Sequence, residues 1–357
     1  MKKKVLILAN NSDGLFRFRH DLLQELKNRY DIIASTPFDH FIPELEKICD
    51  EVIQTDFDRR SINPVNDFRL LKTYLEIVNR VKPDLIITYT IKPNIYGGLV
   101  SRLKKVTYAV NITGLGTAFE KKGIVQEIVV LLYKIALKKA KIVFFENSGD
   151  RNVFVNKTKI PINKTYVLHG AGVNTQTYAY QAYPSNDKIR FLFIGRIMKE
   201  KGIEELFEAG QRLVREGFQC HLDVVGPCEE NYKAKLEECE KSGWLKYHGF
   251  QSDVKPYIKD CDCFVLPSYH EGMANTNLEC ASSGRPIITS NIPGCKEAVV
   301  EGSGFLCEPK DANSLYEAMK KMIMEENREK MGRIGRKHME DVFDKRKVVA
   351  ETLKHLL

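Results

Sequence analysis

Short runs that are apolar at nearly every position alternate with longer amphipathic stretches along this entire 357-residue chain. In the first half the runs lie at 5–9, 32–35, 52–54, 85–89, 108–112, 142–145 and 166–168. In the second half they lie at 189–195, 221–226, 245–249, 263–267, 287–290 and 304–307. Segments such as 21–29, 67–81, 125–139, 204–216 and 314–325 carry apolar residues at helical spacing between them. A strand that is apolar on both faces must be covered on both, and helices in the crossovers of a parallel sheet supply that cover. The alternation predicts an α/β fold with parallel sheets between helical layers.

The pattern restarts midway. A polar stretch, 174–188, separates the last run of the first half from a fresh strand at Ile189. With roughly 150 residues expected per domain, the chain divides into two. The predicted domains are 1–178 and 179–340, followed by a last helix, 341–357. The apolar side of that helix (Val342, Val349, Leu353, Leu356) packs on its own domain or crosses back to the first. Open parallel sheets bind ligands at the carboxyl ends of their strands, so two Rossmann-like, doubly wound domains facing a cleft are expected.

Composition narrows the classes. With 43% hydrophobic and 29% charged residues the chain reads as an ordinary soluble protein. No apolar run approaches the ~18 residues of a membrane span. The run after Lys2, Lys3 and Lys4 is short and leads into Asn10, Asn11 and Ser12 rather than a cleavage site. It reads as a first strand, and a cytoplasmic location is expected. Nine cysteines, an odd number with no C-x-x-C pair, fit reduced thiols and not a zinc site. Residues 1–180 hold 28 Lys and Arg against 18 Asp and Glu, and the remainder hold 27 against 29. The first half is thus basic, which suits phosphates, anionic lipid or nucleic acid, or simply a solvated surface. Aromatic interleaving and recognisable nucleic-acid modules are both lacking, so no nucleic-acid partner is expected.

Four features of the second half follow predicted strands. Gly195-Arg196 leads to Lys201-Gly202: glycines allow close backbone approach, and the two cations suit a diphosphate. On its own the segment reads rather as a plain loop with two exposed bases. Gly226 ends a second strand; Gly249 and Phe250 end a third, where His248 reads as a packed strand residue. The fourth feature runs from Pro267 through Glu271, Gly272, Met273, Ala274, Asn275 and Glu279. There a strand ends, a loop carries a carboxylate, and Asn275 or a neighbour caps a helix whose amides suit phosphate. The two glutamates suit hydroxyls, one set on a sugar and one on a ribose.

The pattern from Pro267 to Pro286, with its two glutamates eight apart and Gly284-Arg285-Pro286 closing it, resembles glycosyltransferase family 4. So do the Gly195-to-Gly202 loop, the segment from Gly294 to Glu297 and the strand at Gly304. The resemblance covers roughly residues 165–325. Ala274 stands where the family usually has Pro, and Cys280 where it usually has Ala. The resemblance implies a B-type glycosyltransferase fold, a retaining reaction and a nucleoside-diphosphate sugar, with UDP favoured, as donor. It implies a saccharide or lipid-linked acceptor in cell-surface polysaccharide synthesis, and neither cofactor nor metal. Carried over, Glu271 contacts the donor sugar, Arg196 and Lys201 neutralise the diphosphate and Glu279 holds the ribose. Met273, Ala274 and Asn275 offer backbone amides.

The resemblance is looser in the first half. Gly14, with Arg17 nearby, follows the first strand, where the family keeps a glycine loop near the donor phosphates; the alternative is an ordinary capping turn. Lys92 and Asn94 follow another strand, and Thr113, Gly114 and Thr117 a third. The expected acceptor-side residues are Arg17, Lys92, Asn94, Thr113 and Gly114. No histidine stands near the last segment, where many relatives have one, which speaks against a histidine-assisted step. The apolar stretch 123–137, ringed by Lys121, Lys122, Lys134, Lys138, Lys139 and Lys141, reads either as a sheet-covering helix or as one lying on the anionic inner face of the plasma membrane.

Rival readings each miss a feature. A dinucleotide-dependent oxidoreductase wants G-x-G-x-x-G after the first strand, which Asn10 to Gly14 do not supply. A secreted sugar-binding protein wants a leader and several hinge crossings. A nucleotide-sugar epimerase of related fold is the alternative that shares the cleft. Asp260 and Asp262 form a D-x-D string, but it precedes its strand and reads as a loop rather than a metal site.

Overall fold

The structure, a computed structural model, describes residues 2–39, 41–56, 63–116, 119 and 123–357. It divides into two units, Met1–Ala171 with Val348–Leu357, and Gly172–Lys347. The chain therefore passes between units at 171/172, seven residues before the boundary expected at 178/179, and again at 347/348.

In the first unit seven parallel strands, β1 (Lys3–Leu8), β2 (Tyr30–Thr36), β3 (Glu51–Gln54), β4 (Leu85–Tyr89), β5 (Thr107–Ile112), β6 (Ile142–Phe145) and β7 (Thr165–Val167), lie in the order β3-β2-β1-β4-β5-β6-β7. The helices between them are α1 (Ser12–Lys27), α2 (Ile42–Glu46), α3 (Pro64–Val81), α4 (Gly98–Lys104), α5 (Ile124–Leu137) and α6 (Ser148–Thr158). Strand periodicity separates two cores. Val5 and Ile7 of β1 face Leu22, Leu23 and Leu26 of α1, while Leu6 and Leu8 face Leu70, Tyr74 and Ile77 of α3. A strand flanked this way has no polar face, which is why its sequence is a continuous apolar run.

The second unit has six parallel strands, β8 (Ile189–Ile194), β9 (Cys220–Val225), β10 (Leu245–Tyr247), β11 (Cys263–Leu266), β12 (Ile287–Ser290) and β13 (Gly304–Cys307), in the order β10-β9-β8-β11-β12-β13. Its helices are α7 (Ile203–Arg215), α8 (Lys233–Lys241), α9 (Lys255–Asp260), α10 (Asn275–Ser282), α11 (Ala312–Met324) and α12 (Arg328–His338). Arg285 is fully buried here, and among the described residues no carboxylate pairs with it. Its guanidinium donates to the carbonyls of Ile258, Lys259, Gln181 and Ala182, fastening the polar 181–183 stretch to the unit.

The last helix, α13 (Lys345–Leu356), starts at the end of the second unit. Its later part packs Val348, Val349 and Leu356 into the α1 side of the first unit's core, with Leu353 beside them. Val342, expected on the same apolar face, packs instead in the second unit. Eight of the nine cysteines are buried, and all nine are free thiols. Among the described residues no helix is long and apolar enough to cross a membrane.

Candidate functional site

In the second sheet the strand order reverses between β8 and β11. Crossovers leave such a point in opposite directions, so the loops after those two strands stand open beside each other. The loop after β8 makes a tight turn, Lys199–Lys201, ending at Gly202 in a left-handed conformation (φ 69°). A Cβ at Gly202 would lie 2.1 Å from the carbonyl oxygen of Pro267, so only glycine lets this turn rest on the end of β11. The Tyr269 N–H donates to the Glu200 carbonyl at 2.8 Å and ties the loops together. The consequence is an ion pair between the Lys201 ammonium and Glu271 Oε1, with side chains only 17% and 13% exposed. Ser268 Oγ donates to the same carboxylate oxygen at 2.8 Å. Arg196, on the same loop as Lys201, is more exposed and pairs with Glu229 at 3.0 Å.

Three glycines knit the strand ends. Gly226 (φ 140°) would place a Cβ 1.9 Å from the Gly195 carbonyl oxygen, and its N–H donates to the Gly249 carbonyl at 2.8 Å. Close backbone approach between strand ends thus accounts for Gly226. Phe250, just after Gly249, is an exposed aromatic ring. His248 meets Asp223 at 2.7 Å and packs edge-on against Tyr257, a structural position. Asp223 is buried, which alone would push its carboxyl up. Hydrogen bonds with His221, His248 and Arg190 outweigh that and hold it well below the usual carboxylate range.

The loop from Glu271 to Ala274 is held from behind. Gly294 (φ 86°) lies against the carbonyls of Glu271 and Gly272, and its own carbonyl accepts from the Ala274 N–H at 2.7 Å. Ala274 is the residue at the cap of α10, and among the described residues it is without a side-chain capping hydrogen bond. The expected cap was Asn275 or a neighbour; it is the neighbour, and Asn275 is the first helical residue, because the cap position falls where the loop is pinned to Gly294. The Asn275 Oδ1 atom is buried and has no hydrogen-bond partner. The Met273 and Ala274 side chains are buried in the core, which leaves their backbone at the helix start. Asn277 donates to Thr289 at 3.0 Å and Thr289 to the Leu266 carbonyl at 2.9 Å, fixing α10 to the sheet. Glu279, half-buried, lies in the second turn of α10. A helix start without a side-chain cap, beside Lys201, is suited to an anion.

In the first unit the order reverses between β1 and β4. Gly14, expected in the loop after β1, is the third residue of α1, and its N–H is given to the capping Asn11 side chain. Asn94 is fully buried: it accepts from Thr88 at 2.7 Å and donates to the Asn111 carbonyl at 2.8 Å, so it stitches β4 to β5 rather than facing a ligand. Lys92 is ion-paired with Asp67 at 2.9 Å and mostly buried. Arg17 pairs with Asp13 and lies over the Phe41 ring. Thr113 and Gly114 are half-buried at the end of β5, and Thr117 is outside the described residues.

Comparison with known proteins decides what this arrangement belongs to. The family profile "Glycosyl transferases group 1" matches residues 179–338, and "Glycosyl transferase 4-like" matches residues 4–147. The chain belongs to the family 4-like glycosyltransferases. Over 346 residues the transferase is 27% identical to the N,N'-diacetylbacillosaminyl-diphospho-undecaprenol alpha-1,3-N-acetylgalactosaminyltransferase of Campylobacter jejuni, covering 90% of each chain. It is 25% identical over 360 residues to the capsular polysaccharide biosynthesis glycosyltransferase CapM of Staphylococcus aureus, covering 95% of this chain and 92% of the other. Its fold is that of HepE of Anabaena in complex with UDP, with a TM-score of 0.81 at 17% identity, covering 99% and 100% of the chains. The two parallel-sheet units are those of the B-type glycosyltransferases, and nothing in these similarities supports the epimerase alternative.

Three features of the transferase's architecture were not anticipated from its sequence. Ser268 lies inside the quoted motif but carried no assigned role, although a hydroxyl three residues before a carboxylate is a usable signal. Arg19 and Glu146 form a mostly buried pair at 2.6 Å, with the guanidinium over the Tyr89 ring; burial pushes that phenol up, against the pull of Arg19. Thr90, just after β4, is held at φ 73° with a buried hydroxyl that has no partner among the described residues. A β-branched residue in that region is strained, and its local sequence does not announce it. Asp262 accepts from the Arg190 N–H and from Asn186 at the start of β11, the opposite end from Glu271. Among the described residues no three His, Cys, Asp or Glu side chains are grouped to hold a metal ion.

Proposed function

We propose that this transferase moves a sugar from a UDP-sugar to the saccharide of a lipid-linked acceptor, with retention at the anomeric carbon and without a metal. The Lys201–Glu271 pair beside the uncapped start of α10 carries the reading. Glycosyl–phosphate cleavage builds positive charge on the sugar and negative charge on the departing diphosphate. Lys201, Arg196 and the amides of Met273 and Asn275 stabilise the second charge, the Ala274 amide expected beside them being given to the Gly294 carbonyl instead; Glu271 receives hydroxyls of the donor sugar and Glu279 those of the ribose. Gly195 and Gly249 let the nucleotide approach the strand ends that Gly226 holds together, and Phe250 offers a ring to the base. The departing phosphate takes the acceptor's proton as the acceptor attacks from the same face, so no carboxylate nucleophile is needed. The nucleotide assignment draws on the UDP-bound neighbour of like fold, and the acceptor class on the undecaprenol-linked substrate named for the Campylobacter relative. Such an acceptor places the enzyme at a membrane face.

The test is calorimetric titration with UDP, GDP, ADP and CMP in the presence of a chelator. Tight binding of UDP that weakens roughly tenfold or more in Arg196→Ala supports the reading, given that charge-assisted contacts are the strong ones. Binding that requires divalent metal, or is indifferent to Arg196, overturns it.

A further inference from the structure

Helix α5 is apolar on two opposite faces. Tyr133, Ala136 and Leu137 are buried in the first unit's core. On the other side Ile124, Ile128, Leu131 and Ile135, spaced four, three and four residues apart, are 77%, 50%, 57% and 42% exposed. Leu103, at the end of α4, is exposed too. The two helices are packed together there, with Gly98 against Ala136 and the Arg102 guanidinium donating to the Ile135 carbonyl. A helix on the surface of a globular protein ordinarily turns polar residues outward at these positions. Instead, a continuous apolar stripe faces out.

The rim of the stripe is basic. Lys104, Lys105, Lys134, Lys138 and Lys139 are all exposed. Residues 85–145 contain ten Lys and Arg and only two acidic residues, Glu120 and Glu127. Lys121 and Lys122 belong to that basic count by sequence and lie outside the described residues.

We infer that the outer face of α5, with the end of α4, docks on an anionic lipid surface. The stripe enters the boundary between headgroups and acyl chains, and the lysines sit at the lipid phosphates. Charge complementarity selects this occupant. A second copy would bring its own lysines against these, and a nucleic acid would engage the lysines while leaving the stripe in water. The inference rests on the lipid-linked acceptor reading for its purpose and on the geometry of α5 for its content.

Co-sedimentation with phosphatidylcholine vesicles, with and without phosphatidylglycerol, tests it. The wild-type chain is expected on the anionic vesicles only, and less so as salt is raised. The Ile128→Glu/Leu131→Glu and Lys134→Glu/Lys138→Glu variants should each lose binding roughly tenfold or more. Both should titrate with UDP like the wild type, which shows that they are folded and keeps this test separate from that of the donor site. No binding of the wild type to anionic vesicles, or undiminished binding of either variant, overturns the inference. So does a change from dimer to monomer in the apolar variant with vesicle binding intact, which assigns the face to a second copy.

Discussion

Lys201 and Glu271 are 70 residues apart in sequence and form an ion pair in which both side chains are largely buried. The pairing exists because Gly202 lets the turn after β8 rest on the Pro267 carbonyl at the end of β11. It places a cation and a carboxylate together where the strand order reverses. Taking either charge out of water without the other is costly, so the pair is both a structural joint and a chemical one.

A double-variant cycle separates those two roles. Lys201→Met and Glu271→Gln should each lower the melting temperature, because each leaves the partner's charge or hydrogen bonds uncompensated. The double variant should recover stability relative to the sum of the singles. Activity should not recover: each single and the double lose roughly 10²–10³-fold in kcat, the range for removal of one electrostatic contact to the transition state. Thermal melts and donor turnover on the four proteins provide the check. A double variant with restored turnover would mean that the pair serves folding alone.

Gly202→Ala probes the joint without touching a charge. The left-handed backbone costs an L-residue about 1–2 kcal/mol, and the new methyl would press on the Pro267 carbonyl. The turn must lift, carrying Lys201 from Glu271. Turnover is expected to fall by more than the loss of stability at the assay temperature explains, measured as kcat beside a urea unfolding curve. An alanine variant of normal activity would show that the turn has slack.

Asp223 supplies a pH signature of stability. Its carboxyl is held well below its ordinary value in the folded state, against its burial, by His221, His248 and Arg190. A depressed folded pKa means that the contribution is fully present above the unfolded value near 4 and is lost as pH falls through the folded one. Asp223→Asn should cost about 2–3 kcal/mol near neutral pH, the range for hydrogen bonds to charged groups. That gap should narrow as the pH falls below about 4. Chemical denaturation from neutral to acid pH measures it, and a gap that does not narrow below about pH 4 would contradict the assignment.

Some expectations about the site survived as position and not as chemistry. Asn94 follows a strand end, as its sequence context indicates, yet it is fully buried between Thr88 and Asn111. A polar residue after a strand can point to solvent or bridge two strands, and spacing does not distinguish the two. Gly14 was placed in a loop, but Asn11 caps α1 early enough to draw it into the first helical turn. Of Asn275 and its neighbours, the expected cap positions, Ala274 takes the role because Gly294, from another loop, pins the chain there. The positions of Asn94 and Ala274 are set by partners on other strands and loops, and that of Gly14 by a cap three residues away.

By itself the sequence determined the two parallel α/β units, because strands covered on both faces need apolar side chains at every position and helices between them. It also placed Arg196, Lys201, Glu271 and Glu279 in segments that follow strands, since each lies just beyond an apolar run. The tertiary structure decided which of these groups meet. Glycines at 202, 226 and 294 permit backbone contacts that no other residue would, and those contacts set Lys201 against Glu271 and leave the start of α10 without a side-chain cap. It also decided that α5 keeps a second apolar face in the open, because burial of one face of a helix is a property of what packs on it and not of the helix.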